Sequence, residues 1–199
     1  MKTRLVIFDL DGTIVENNYD WAAIRQELGL SSGSILAYLD SLPEPDRSEK
    51  YAVLEAHERR QTELARLRPG TEAFLGWLTS RRIKTALVTN NNLENTRRLL
   101  ERFQLTFDLT LTRESGLYKP SGAPLIRVME QLKVKPDETV AVGDTHYDLQ
   151  AAREAGLARV FILKGPMTPP ELAGATFVSS YEEIKPYLEE RYPQPTNIK

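Results

Sequence analysis

The chain contains no cysteine in its 199 residues, which excludes disulfides, thiolate metal sites and a cysteine nucleophile. It has only two histidines, His57 and His146, and none of its serines sits in a G-x-S-x-G elbow, since the one such string, Gly29 to Gly33, follows a helix and not a strand. Serine–histidine hydrolysis therefore lacks its parts, and with no G-x-G-x-x-G loop there is no dinucleotide fingerprint. No apolar run approaches the roughly 20 residues of a membrane helix. The opening M-K-T-R leads straight into a short strand, without the apolar core and cleavage site of a signal peptide. A formal charge of −2 supplies no field for a polyanion, so neither nucleic acid nor a membrane surface is expected as a partner. A cytoplasmic protein, monomer or homodimer, is the expectation. Repeats and low-complexity tracts are absent as well.

What is present centres on Arg4 to Val15, R-L-V-I-F-D-L-D-G-T-I-V. Leu5-Val6-Ile7-Phe8 is apolar on both faces, as a strand in the middle of a parallel sheet must be. Asp9 and Asp11 follow, two apart and so on one side, at the strand's carboxyl end where α/β sheets bind ligands. Two adjacent acids repel, and a divalent cation or a proton shared with a reacting group would hold them together. An acidic D-G turn is the alternative reading.

Residues 16–67 read as helices only. Asp20 is placed to cap W-A-A-I-R-Q-E-L, with Gly29 closing it, and Ser34 to cap I-L-A-Y-L. A longer helix is expected from Arg47 to Leu67, with Tyr51, Leu54, His57 or Glu58, Gln61 and Leu64-Ala65 along it. After Arg68-Pro69-Gly70 helices and strands alternate. Helices are expected at 71–81, 93–103, 121–132, 146–155 and 181–187. Strands are expected at K-T-A-L-V-T, F-D-L-T-L, T-V-A-V-G-D, A-R-V-F-I-L and, more weakly, A-T-F-V. Such alternation means parallel strands joined by right-handed crossovers. The fold class is therefore α/β, a doubly wound, Rossmann-like parallel sheet with a small inserted helical cap. Residues 1–15 and 68–199 form the core and 16–67 the cap. The end, Y-P-Q-P-T-N-I-K, is expected to be mobile.

Three further strand ends carry chemistry. Thr89-Asn90 offers a hydroxyl and backbone N–H groups to phosphoryl oxygens, or is merely a strand-ending threonine. Lys119, before Pro120, would offset the two aspartates and draw charge from a phosphoryl group, or is a surface lysine ahead of a helix. Asp144 and Asp148, in G-D-x-x-x-D, supply hard oxygen ligands for Mg²⁺, or Asp144 caps the next helix. His146 lies beside Asp144, but Mg²⁺ prefers oxygen, and His57 reads as a surface or partly buried residue.

F-D-L-D-G-T, the strand-ending Thr89, Lys119-Pro120 and G-D-x-x-x-D together resemble the four motifs of the haloacid dehalogenase-like superfamily, in order and each at the end of the right strand. The likeness covers the whole chain and points to the phosphoglycolate phosphatase-like branch with its small helical cap. It implies a Mg²⁺-dependent phosphatase acting on a small-molecule phosphate ester. Asp9 is then the nucleophile and Asp11 the general acid/base. Thr89, Asn90 and Lys119 bind the phosphoryl group. Asp9, the Asp11 carbonyl and Asp144 hold Mg²⁺, with Asp148 as ligand or outer support. A sugar phosphomutase with the same motifs is the runner-up, and a non-catalytic phosphate-binding module stands behind it. Dehalogenation would not need this acid set, and phosphonate cleavage would rest on Lys50, the lone lysine of the cap. Glu16, Asn17, Asn18, Tyr19, Trp21 and Arg25 are expected to face the leaving group. Glu16-Asn17 departs from the Asp-Ser that relatives of this type often carry, so cap contacts do not carry over. Arg25 is placed either to read a carboxylate or on a solvated helix face.

Overall fold

Leu5–Phe8 forms β1, and all four side chains are buried. Alternation along a strand sends neighbours to opposite faces. Val6 and Phe8 join one apolar cluster with Leu10, Phe74, Leu78 and Tyr181. Leu5 and Ile7 join the other, with Ala86, Leu125, Met129 and Ile162. A strand packed on both faces has no polar positions to spare, which is why β1 reads as an uninterrupted apolar run.

The computed structural model describes residues 2–16, 18–165 and 173–189. After β1 come the helices α1 (Trp21–Leu28), α2 (Ile35–Ser41) and α3 (Asp46–Leu64). From there helix and strand alternate as far as β5, and β6 and a last helix follow: α4 (Thr71–Ser80), β2 (Lys84–Val88), α5 (Leu93–Arg102), β3 (Leu109–Leu111), α6 (Ala123–Leu132), β4 (Thr139–Gly143), α7 (His146–Glu154), β5 (Val160–Leu163), β6 (Thr176–Val178) and α8 (Lys185–Glu189). The sheet runs β3-β2-β1-β4-β5-β6 with every pair parallel. The strand order reverses between β1 and β4, and a crevice opens at their carboxyl ends.

The expected α/β class and the order of elements stand, with local differences. The third helix stops at Leu64, short of Leu67, because Ala65 turns to φ −58°, ψ 141°. The chain is needed there for another purpose. Glu16 N–H donates to the Arg66 carbonyl at 2.9 Å and Arg68 N–H to that of Ile14 at 3.0 Å, so the two ends of the helical segment between β1 and α4 are tied side by side. Leu64, at the end of that helix, is 62% exposed. The helix expected from Ser121 begins at Ala123, and the one expected at 181–187 is a 3₁₀ turn, Tyr181–Glu183, followed by α8. Asp20 and Ser34 do cap α1 and α2, accepting from Ala23 and Ala37 N–H. The tail expected to be mobile and Asn17 lie outside the described residues.

The segment between β1 and α4 has an apolar cluster of its own, built from Tyr19, Ile24, Leu28, Ile35, Leu36, Leu39 and Leu54. Hydrogen bonds tie it to the rest of the chain: Tyr118 Oη to Asp40 at 3.0 Å, Tyr147 Oη to the Gly33 carbonyl at 3.1 Å and Arg102 to the carbonyls of Thr62 and Glu63.

Candidate active site

The turn after β1 is pinned from several sides. Ile14 and Val15 N–H both donate to the Leu10 carbonyl. Tyr181 Oη donates to the Thr13 carbonyl at 2.5 Å, and Arg68 Nε to that of Gly12 at 3.1 Å. Asp9 and Asp11 leave this turn into a cavity of about 300 Å³, which Thr89, Asn90, Lys119 and Thr145 also line. Gly12 has φ +89°, and a Cβ there would lie 2.0 Å from Asp144 Oδ2. A Cβ on Gly143 would likewise meet the Asp148 carboxylate at 2.3 Å. Both glycines exist because a carboxylate occupies the space a side chain would need.

Lys119 Nζ sits between two acids, 2.6 Å from Asp9 Oδ1 and 2.6 Å from Asp148 Oδ1. Burial works against its charge, yet Asp148 and Asp9 together raise its pKa and keep it cationic. Asp148 Oδ2 accepts from Asp144 N–H, Thr145 N–H and Thr145 Oγ1, closing a capping box at the start of α7. Burial disfavours the Asp148 anion, but Lys119 and the Thr145 donors outweigh it and lower the pKa. Thr145, and not Asp144, caps α7, so the Asp144 carboxylate is released for other work.

Ligand oxygens of Asp9, Asp144 and Asp148 lie within 4.8 Å of one another. Asp144 Oδ1 and Asp11 Oδ1 are buried with no hydrogen-bond partner. Burial, then Asp148 and Asp9, push the Asp144 pKa well above its ordinary value. Burial likewise raises Asp9 to about 7, against the pull of Lys119. Unpartnered buried oxygens facing like charges are what a hard divalent cation satisfies, so the donor set fits one. Both oxygens of Asp148 are already bonded to protein donors, which makes it a support for the cluster more than a free ligand.

Asp9, Asp11, Thr89, Asn90 and Lys119 line this cavity, and Asp144 and Asp148 adjoin it through the acid cluster, whereas Glu16 and Asn18, expected to face the leaving group, are not among its lining residues. Thr89 Oγ1 accepts from Asn91 N–H at 3.0 Å, which leaves its own proton to donate. The Asn90 side chain grips the Lys119 backbone both ways, at 2.8 and 2.9 Å, and so sets where the lysine starts. Tyr19, Trp21 and Arg25 line the cavity. His146 lines it too, tilted at 53° against the Tyr147 ring but outside the acid cluster, while His57 pairs with Glu27 at 2.7 Å.

Two residues went unseen in the sequence. Asn91, 3% exposed, donates to Asp11 Oδ2 at 2.9 Å. Burial lifts Asp11 to about 6 and the Asn91 hydrogen bond restrains that rise. Glu58, named only as an alternative to His57 along the third helix, is 5% exposed and lines the cavity. The signal was an acid at a core-facing position of a helix, a place where carboxylates are rarely buried without a partner.

A family model described as haloacid dehalogenase-like hydrolase matches residues 3–156. The chain belongs to this family. A haloacid dehalogenase-like hydrolase domain-containing protein of Arabidopsis thaliana is 32% identical over 171 residues, 78% of this hydrolase and 69% of that protein. A phosphoglycolate phosphatase of Aquifex aeolicus is 28% identical over 182 residues, covering 81% and 85% of the two chains. Among solved structures, CbbY from Rhodobacter sphaeroides in complex with xylulose-(1,5)bisphosphate shares the fold at a TM-score of 0.70 and 24% identity. That match covers 92% of this hydrolase and 96% of CbbY.

Proposed function

We propose that this hydrolase is a phosphatase of the phosphoglycolate phosphatase-like kind, hydrolysing a small-molecule phosphomonoester through an aspartyl-phosphate on Asp9. Residues 16–67 act as its cap, over a core made of 1–15 and 68–199. The observation that carries the reading is Lys119 Nζ holding Asp9 Oδ1 at 2.6 Å while Asp144 keeps a buried oxygen unpartnered beside it.

Held by one oxygen, Asp9 presents the other to phosphorus. Its attack forms the Asp9 O–P bond as the ester P–O bond breaks, and Asp11 gives its proton to the leaving alkoxide. Asp11, now anionic, takes a proton from water as the water oxygen attacks the phosphoaspartate. The Asp9 O–P bond breaks and inorganic phosphate leaves. An acid/base carboxyl with a pKa of about 6, raised by burial, is suited to working both ways near neutral pH. Thr89 Oγ1, the Asn90 backbone and Lys119 bind the phosphoryl oxygens. A divalent cation, with Mg²⁺ the candidate, would be held by Asp9, the Asp11 carbonyl and Asp144, with Asp148 in support. When bound it would neutralise charge between the carboxylates and an anionic substrate.

The test is Asp9→Asn, assayed for release of inorganic phosphate and for acid-stable phosphoenzyme. Both should vanish while the circular dichroism spectrum is unchanged. Turnover near the wild-type level would end the aspartyl-phosphate mechanism. Chelation by EDTA should stop the wild-type enzyme and Mg²⁺ restore it.

A further inference from the structure

Glu58 belongs to the cap by chain position and to the cavity by geometry. Its side chain is 6% exposed, yet it lines the same cavity as Asp11. Burying a carboxylate is costly unless it is paired and hydrogen-bonded, and here it is both. Arg113 Nη1 donates to Oε1 at 2.5 Å, and Asn92 Nδ2 donates to Oε2 at 3.0 Å. Arg113, itself 7% exposed, also reaches Glu55 at 3.4 Å and lies over the Tyr51 ring. Asn92 is fixed in turn, because its Oδ1 caps α5 by accepting from Asn95 N–H at 2.8 Å.

The same residues lead to the acid/base. Asn92 N–H donates to Asn91 Oδ1 at 2.8 Å, and Asn91 Nδ2 donates to Asp11 Oδ2 at 2.9 Å. One hydrogen-bonded chain thus seats both the carboxylate that would protonate the leaving oxygen and a second carboxylate further up the cavity. The cavity that Glu58 lines has an apolar wall as well, made of Tyr19 and Trp21, stacked at 4.5 Å, with Ile35, Leu36 and Leu54.

We propose that Glu58 is a specificity-determining residue, which accepts a hydrogen bond from a hydroxyl of the leaving group and selects polyol phosphates over phosphorylated hydroxy acids. The proposal rests on the phosphatase reading above and concerns only what the leaving group carries. Each Glu58 oxygen has one protein donor and further lone-pair capacity, so it asks for another donor. Its charge is already matched by Arg113, which makes a neutral hydroxyl the fitting one. A carboxylate at that place brings only acceptors, and one of two facing acceptor sets would be buried without a proton between them. The apolar wall then packs the carbon face of the polyol.

The test is run at about pH 8.5, where Glu58 is ionised, and compares two substrates of matched shape, glycerol 3-phosphate and 3-phosphoglycerate, which differ by CH₂OH against COO⁻. Serinol phosphate supplies an amine arm. Each kcat/KM is normalised to the same enzyme's turnover of para-nitrophenyl phosphate, so that general damage cancels. For the wild type we expect glycerol 3-phosphate to exceed 3-phosphoglycerate by about tenfold or more, the scale of discrimination by a site built to receive a hydroxyl. In Glu58→Gln, whose amide can donate to a carboxylate, that ratio should fall at least about fivefold, chiefly through KM for the hydroxy acid. If Glu58→Gln is not recovered folded, Glu58→Asp, which withdraws the carboxylate by one methylene, takes its place.

Equal or reversed wild-type preference would overturn the proposal and assign the leaving group to Arg25, the other charged cap residue on the cavity. Preference for serinol phosphate would overturn it in favour of an ammonium. A wild-type ratio unchanged by substitution would remove Glu58 from specificity. In all three cases para-nitrophenyl phosphate is still hydrolysed, whereas failure of the phosphatase reading would show as loss of that activity too.

Discussion

Gly12 shows how closely single residues are matched at this site. At φ +89° it occupies a backbone region that costs a side-chain-bearing residue about 1–3 kcal/mol. The sharper constraint is the Asp144 carboxylate, 2.0 Å from where a Cβ would stand. Gly12→Ala should therefore push Asp144 out of the acid cluster while leaving the fold in place. The expected outcome is a loss of about 100-fold or more in kcat/KM, since misplacement by about 1 Å is enough for that. Steady-state kinetics beside a urea titration would check it, and a variant with wild-type kcat/KM would show that Asp144 has room to spare. D-G was readable as a turn in the sequence, but the reason for its glycine was not, because the neighbour that excludes a side chain lies 132 positions further on.

At the scale of elements, strands were easier to read than the helices of the insertion. β1 and β4 are buried on both faces, so their apolar runs and the acids that end them stand out without knowledge of their neighbours. The end of α3 does not, since it is set by pairing of Glu16 with Arg66 and of Ile14 with Arg68, across about fifty residues of chain. The inward face of α3 was also obscured, because it carries Glu58 and Gln61, buried polar residues where apolar ones mark a helix face. Asn91 was hidden in the run Asn90-Asn91-Asn92, three identical residues with three different tasks.

Glu58 gives α3 a pH-dependent attachment to the core. Burial, opposed by Arg113, raises its pKa from the ordinary 4.5 to about 7. Below 4.5 the folded and unfolded chains both hold the proton, and the group adds no pH dependence. Between 4.5 and about 7 the unfolded chain releases it first, so stability falls as pH rises, and above 7 the full cost remains. Glu58→Gln removes this cost. The unfolding free energy of the variant minus that of the wild type should rise by about 2–3 kcal/mol between pH 4.5 and 7.5. Urea titrations at the two pH values measure it, and a flat difference would mean that Arg113 fully offsets the burial.

The whole molecule gathers its charge where the sheet order reverses. Asp9 and Asp11 follow β1, Asp144 and Asp148 follow β4, and among the described residues Lys119 is the one cation bonded among them. Four carboxylates against one ammonium leave the fold under local repulsion, which the packing of β1 against β4 must carry. A cation bound only by the folded chain should then stabilise the entire structure, independently of any substrate. Linkage sets the size: a ligand at 100 times its Kd adds about 2.7 kcal/mol. At about 2–4 °C per kcal/mol for a chain of this length, Mg²⁺ should raise Tm by about 5–10 °C over an EDTA-treated sample at equal ionic strength. Asp144→Asn removes one negative charge and one ligand oxygen together. Its Tm without metal should therefore hold or rise, and most of the increment on adding Mg²⁺ should disappear. Calorimetry on both proteins separates the two effects. An increment of the same size in Asp144→Asn would place the cation away from Asp144, and no increment in the wild type would leave the carboxylate cluster without the counter-charge its unpartnered oxygens call for.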